Sequence, residues 1–323
     1  MFTQILVPLD GSTRAEQALP LAARIARASG ARILLVRAVV VPVTYGVMME
    51  GESLHWRLAH DETEEAQTYL NTLAQSEQLK GLPVESLVKV GVAANVILDA
   101  AAERGADLVV LTSHGRTGFT RWMLGSVAQH IAHHSTAPVL VLRRHGESVA
   151  EGEDFSHVLV PLDGSPLAEA ALEPARGLAL ALSAPGQARI HLVLVVAPYE
   201  SVPENMPDAL IMEGARSYLE RVGQRLAAEG EGGQLAVTWS VVANLDIAQG
   251  ILVVAEAAQG AEGTPPFGRA GVIAMATHGY GGVERWALGS IAERVLHASK
   301  HPMLIVRPPE VVARARGAGQ PSA

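Results

Sequence analysis

The chain has 323 residues, no cysteine and a formal net charge of −8. That composition excludes disulfides, thiolate zinc sites and cysteine redox chemistry. The acidic balance argues against a sequence-independent grip on nucleic acid, which needs a basic face.

Apolar residues make up 49% of the chain and aromatics only 4%. This balance suits α/β layers, whose buried parallel strands read as continuous aliphatic runs. No apolar stretch reaches membrane-spanning length; AALEPARGLALALSA, for example, contains Glu173 and Arg176. The N-terminal MFTQILVPLDGS reads as a strand rather than a signal peptide, so a cytoplasmic location is the expectation.

In chain order, residues 5–9 form a short apolar strand and 13–28 a helix with Leu19, Ala22, Ala23 and Ala26 at helical spacing. A second strand covers 32–41. A loop over 42–56 leads to a polar-surfaced helix over 61–78. Strand three covers 84–90, a helix 93–104 and strand four 108–112. A glycine-bearing loop then leads into a helix from Ser126, and 139–142 make strand five. Strands alternating with helices imply right-handed crossovers and a parallel sheet.

The second half repeats this plan. Its strands are 158–162, 189–196, 235–242, 272–276 and 303–306. Its helices start at Ser165, near Asp208, at Ala248 and at Ser290. Three landmarks recur in order: ILVPLDGS as VLVPLDGS, LTSHGRTGFTRWMLGS as MATHGYGGVERWALGS, and APVLVLR as HPMLIVR. The offset grows from 153 to 164, so the second half carries 11 extra residues, most of them in the Gly- and Pro-rich stretch 258–271. A period this long marks a domain duplication. The expected boundaries are a first domain at 1–144, a polar linker at 145–154, a second domain at 155–308 and a frayed tail at 309–323.

The most informative stretch is 111–126 with its copy 275–290. Eight of the sixteen positions are identical: His114/His278, Gly115/Gly279, Gly118/Gly282, Arg121/Arg285, Trp122/Trp286, Leu124/Leu288, Gly125/Gly289 and Ser126/Ser290. Each copy reads as strand, glycine loop, helix N-terminus. Such a terminus presents N–H groups without intrahelical partners and positive partial charge, which suits phosphate. The bland reading is that Ser126 and Ser290 simply cap a helix.

Each half also ends its first strand in a carboxylate, Asp10 or Asp163, within PLDGS. Capping is again the bland alternative, by Ser12 or Thr13 with Glu16 completing a capping box, and by Ser165 before Pro166. A capping serine leaves the aspartate to another task. In a five-stranded doubly wound sheet, strand one and strand four flank the switch point, where ligands bind. Other candidates are weaker. His130, His133 and His134 lie near one another on a helix, but His297 and His301 do not reproduce the cluster, and a solvated face is the better reading. Neither loop fits G-x-x-x-x-G-K-[ST], and no pair of groups is set to orient a hydrolytic water.

The PLDGS strand end, the loop of a small residue, Ser/Thr, His and Gly with Gly-Ser nine residues later, and the closing strand PVLVLR together resemble the universal stress protein family, as two tandem domains. The resemblance implies two open, doubly wound, five-stranded parallel sheets of the Rossmann-like, adenine nucleotide alpha hydrolase-like type. In the ATP-binding branch the loop is Gly, two residues, Gly, nine residues, Gly-Ser/Thr. By that likeness Gly115, Gly125, Ser126 and Val127 meet phosphate in the first half, as do Gly279, Gly289, Ser290 and Ile291 in the second. Asp10 and Asp163 lie near ribose, and the backbone of Ala38 and Val195 near adenine. Pro8, Leu111, Pro161 and Met275 complete the two sets at the ends of strands one and four. The departure is the first glycine, replaced by Thr112 and Ala276; the branched Thr112 makes the first site the less regular of the two.

Arg116, Arg121 and Arg285 are further candidates for the phosphate charge, and His114 and His278 for the ligand or for holding the loop. The resemblance also implies that the edge strands at 139–142 and 303–306 pair within the chain about a pseudo-two-fold axis, with further homodimerisation left open. The functional expectation is a regulatory stress-response protein binding ATP, with Mg, at one or both sites, at most a slow ATPase and read by an unidentified protein partner. The alternative is an interaction module of the same fold that binds no nucleotide.

Overall fold

Aliphatic runs occupy the centre of each half. The computed structural model describes residues 1–40, 51–113, 124–143, 155–197, 208–230, 233–257, 270–277 and 288–308. The expected linker, the bulk of the 258–271 insertion and the tail lie outside these residues. The chain divides into two compact units, Phe2–Val149 and Ala150–Ala323.

In the first unit the order is β1 (Gln4–Pro8), α1 (Thr13–Glu16), α2 (Leu19–Ser29), β2 (Arg32–Val39), α3 (Gly51–Ala74), β3 (Val84–Val90), α4 (Ala93–Glu103), β4 (Leu108–Thr112), α5 (Ser126–His134) and β5 (Val139–Leu142). The strands lie in the order β3-β2-β1-β4-β5, and the paired strands are parallel. The central strands carry unbroken apolar segments because helices cover both faces. Ile5, Leu6 and Val7 of β1 and Leu34 and Leu35 of β2 are fully buried. Asp107 ties the start of β1 to the entry of β4: its Oδ2 accepts from the Thr3 amide at 2.7 Å and its Oδ1 from the Gln4 amide at 3.1 Å. α3 packs against β2 and β3, and α4 against β2 and α5.

The second unit runs β6 (His157–Pro161), α6 (Pro166–Glu169), α7 (Leu172–Ser183), β7 (Ala188–Val196), α8 (Asp208–Ala228), β8 (Leu235–Ala243), α9 (Ile247–Glu256), β9 (Val272–Ala276), α10 (Ser290–Ala298) and β10 (Met303–Val306). Its sheet has the order β8-β7-β6-β9-β10, again parallel throughout its pairings. The doubly wound plan is therefore built twice, with the chain turning from one wing to the other between β1 and β4 and between β6 and β9.

Two expectations need correction. The helix expected over 13–28 is broken into α1 and α2, with Gln17 and Ala18 between them. Pro20 has no N–H to offer the Glu16 carbonyl, so the ladder restarts. The break recurs between α6 and α7, where Pro174 follows two residues into the new helix. The loop expected over 42–56 is shorter than its sequence suggested, because α3 already starts at Gly51.

Candidate functional site

β1 delivers the chain to a tight turn at its C-terminal end. The Leu9 amide donates to the Val36 carbonyl at 2.8 Å, and Asp10 follows. The Asp10 Oδ1 accepts from both the Ser12 amide, 2.9 Å, and the Ser12 hydroxyl, 2.6 Å. Ser12 in turn caps α1 by accepting from the Ala15 amide at 3.2 Å. The capping box that was the bland alternative at Glu16 is not formed; its Oε1 instead accepts from the Tyr69 hydroxyl at 2.9 Å.

The aspartate is thus not released by the serine cap. One of its oxygens fixes the capping serine, and this Asx turn holds the carboxylate at the sheet edge. The second unit repeats the arrangement: Asp163 Oδ1 accepts from the Ser165 amide and hydroxyl at 2.9 and 2.6 Å, and Ser165 caps α6.

The turn requires left-handed backbone at the residue after the aspartate, with φ of 84° at Gly11 and 86° at Gly164. A Cβ at Gly11 would also meet the Arg37 guanidinium at 3.3 Å. Gly11→Ala is expected to cost about 1–2 kcal/mol for the left-handed conformation. Urea unfolding against wild type checks this, and an unchanged midpoint would contradict it.

Across from Asp10, β4 ends at Thr112, and the carbonyl of the next residue, Ser113, accepts from the Gly125 amide at 2.8 Å. The second unit closes its loop the same way, with Gly289 donating to Thr277 at 2.6 Å. Gly125 and Gly289, in extended conformation, are the N-caps of α5 and α10, and neither helix has a side-chain cap. Ser126 and Ser290 are the first helical residues, so the capping reading of these serines is not what the structure adopts. The first-turn N–H groups have no partner within the helix.

The two sides meet around one cavity of about 580 Å³ in the first unit. Pro8, Asp10, Ala38 and Leu111 line it, as do Thr112, Gly125, Ser126 and Val127. Every described residue assigned to the first site from sequence is in this wall. In the second unit Pro161 ends β6, Val195 lies in β7, Met275 and Ala276 end β9, and Gly289, Ser290 and Ile291 open α10. They hold the positions that their first-unit counterparts hold. Gly115, Gly279, His114, His278, Arg116, Arg121, Arg285, Trp122 and Trp286 lie outside the described residues.

The cavity also has walls that sequence reading missed. Val39, Val40, Ala93, Ile97, Ala128 and Ile131 give it an apolar side from β2, α4 and α5. Arg37, Glu62 and Glu65 give it a charged side from β2 and α3. The adjacency of Arg37 to Ala38 was the available signal for the first; the i, i+3 spacing of Glu62 and Glu65 gave no hint of which face meets the cleft.

The Arg37 guanidinium stands 5.1 Å from the Tyr69 ring centroid. Burial, followed by the hydrogen bond to Glu16, holds the Tyr69 phenol protonated well above its usual range. Away from the cavity, His130 and His134 stack at 4.1 Å between centroids, and His134 Nδ1 meets the His130 carbonyl at 2.8 Å. No group of three or more His, Cys, Asp or Glu among the described residues has a metal-holding arrangement.

The family model of the universal stress protein family matches residues 1–143 and again 154–307. The chain belongs to the universal stress protein family. A universal stress protein of Mycolicibacterium smegmatis is 25% identical over 320 residues, covering 94% of this chain and 97% of that protein. Universal stress protein YxiE of Bacillus subtilis is 30% identical over 148 residues, spanning 44% of this chain and all of its own length. The solved universal stress protein of Archaeoglobus fulgidus superposes with a TM-score of 0.66 at 21% identity, covering 94% of this chain and 98% of that one, a likeness of fold. As in a tandem universal stress protein, both halves carry the family pattern. No helix among the described residues is long and apolar enough to cross a membrane.

Proposed function

We propose that this tandem universal stress protein binds an adenine nucleotide, ATP with Mg, in the first-unit cavity and at the equivalent place in the second unit. Its role is regulatory, the loaded state being read by a protein partner. The observation that carries the reading is the convergence of all the described first-site residues on one cavity. Its size falls within the roughly 300–1,000 Å³ of small-molecule sites, and it combines an apolar wall with a few polar groups.

In this reading the purine lies against Val39, Ile97 and Ile131. The Asp10 carboxylate accepts from ribose hydroxyls. The Ser126 and Val127 amides at the α5 N-terminus meet phosphate oxygens. Mg would enter with the phosphates, where the Ser126 hydroxyl would help hold it and the cation would offset phosphate charge. No P-loop lysine stands at either loop, so backbone dipoles carry much of the phosphate charge. Such a site favours retention of the nucleotide over rapid turnover.

The test is equilibrium binding of ATP with Mg to the full chain and to the Gly115→Glu and Gly279→Glu variants. Loss of binding is expected as the two substitutions are combined; affinity unchanged in both would overturn the reading. Thr112→Gly restores the family glycine and removes a branched side chain from the cavity wall. It is expected to strengthen ATP binding to the first unit a few-fold, at a stability cost of about 0.5–1 kcal/mol for glycine in a strand. Calorimetric titration of this variant reads the affinity and urea unfolding the stability, and weaker binding would contradict the expectation.

A further inference from the structure

The duplication invites a comparison of the two sites at each position, and they differ in charge. The β1–β2 register pairs Pro8 with Val36, and the β6–β7 register pairs Pro161 with Val193. Arg37, which follows Val36, therefore corresponds to Leu194. Tyr69 and Tyr218 donate to the corresponding carboxylates Glu16 and Glu169, which aligns α3 with α8. On that alignment Glu62 and Glu65 correspond to Ile211 and Gly214. The first cavity has a cation in its wall; the same place in the second unit has a leucine.

Arg37 is held ready for an anion. Its guanidinium rests by the bare backbone of Gly11 and beside the Tyr69 ring, whose hydroxyl is anchored on Glu16. Among the described residues no carboxylate lies within ion-pair distance of it. The corresponding pair in the second unit is arranged otherwise: Glu169 is bound there by Arg225, a position that is Ser76 in the first unit. Glu62 and Glu65 share the cavity mouth but are exposed, so water and salt screen them more strongly than the half-buried guanidinium. A planar, permanently charged fork that is already oriented loses little on binding phosphate.

We propose that Arg37 is a specificity-determining residue which makes the two tandem sites unlike: the first meets its ligand's anionic charge with a guanidinium at the strand position where the second has Leu194. This rests on the nucleotide reading above. The first site then prefers ATP over adenosine far more than the second does, and its ATP affinity falls more steeply with salt.

The test compares ATP and adenosine binding, by calorimetry at low and high salt, for wild type, Arg37→Leu, Arg37→Lys and Leu194→Arg full-length chains. Arg37→Leu is expected to weaken ATP at one class of site about 10-fold while leaving adenosine within about 2-fold, the loss of one charge-assisted contact. Arg37→Lys recovers part of the ATP affinity, and Leu194→Arg strengthens ATP at the other class. Equal weakening of ATP and adenosine by Arg37→Leu would make Arg37 a packing residue and overturn the proposal. So would ATP affinity unchanged in that variant. Wild-type chain that binds adenosine and ATP equally at both sites would overturn it while leaving nucleotide binding standing. Wild-type chain that binds neither would remove the nucleotide reading itself.

Discussion

Asp10→Ala is expected to weaken ATP binding at the first site by about 10- to 100-fold, the range of a hydrogen bond to a charged group, about 1.5–3 kcal/mol. The same substitution is expected to lower stability by about 1 kcal/mol. Asp10 Oδ1 holds both the amide and the hydroxyl of Ser12, and Ser12 is the cap of α1. Without the aspartate the cap loses its support, and a lost cap costs about 1 kcal/mol. Asp10→Asn separates the two effects. Its amide oxygen still accepts from Ser12, so stability stays near wild type, while the charge presented to the ligand is gone. ATP titrations with denaturant unfolding of both variants give the answer. An alanine variant that binds ATP like wild type would take Asp10 out of the site and leave it a turn residue.

His191 is expected to make the second unit acid-sensitive. It lies in β7 with no exposed surface, and its ring nitrogens stand 2.8 Å from the Thr238 and Ser240 hydroxyls of β8. Burial pushes the imidazole down to about 4. A free histidine titrates near 6.5. Between these values the unfolded chain takes up a proton that the folded chain does not. Stability is therefore undiminished above about pH 6.5 and falls as the pH drops toward 4, where the loss reaches about 3 kcal/mol. His191→Gln keeps a polar side chain beside the two hydroxyls and does not titrate. Unfolding midpoints measured at pH 7, 5.5 and 4.5 should fall more steeply for wild type than for the variant. Parallel slopes would mean that the buried ring does not contribute to acid sensitivity.

The two kinds of information divide cleanly at the cavity. Strand ends and helix starts carry their own local signals, so Asp10, Thr112, Gly125 and Ser126 were legible. Each sits where a short motif dictates backbone geometry, as the Asx turn does at Asp10. Glu62 and Glu65 were not legible, because α3 is polar over much of its surface and nothing local marks the face that meets the cleft. Ile97 and Ile131 read as ordinary core positions of amphipathic helices. They become an apolar wall only because α4 packs against α5 beside the end of β2. The role of Ser126 also went undecided: a serine before a helix signals a cap, but the hydrogen bond from Gly125 to Ser113 moves the cap one residue earlier.

Sequence alone determined the alternation of aliphatic strands with helices, the duplication, and the edge of each sheet where the motifs collect. These follow from hydrophobic periodicity and from residues whose backbone preferences act over a few positions. Tertiary structure alone decided that Arg37 stands over Gly11 beside Tyr69, and that charged and apolar walls from β2, α3, α4 and α5 close on one space. The reason is that crossover packing brings together side chains tens of residues apart, and no local pattern encodes which of them will face each other.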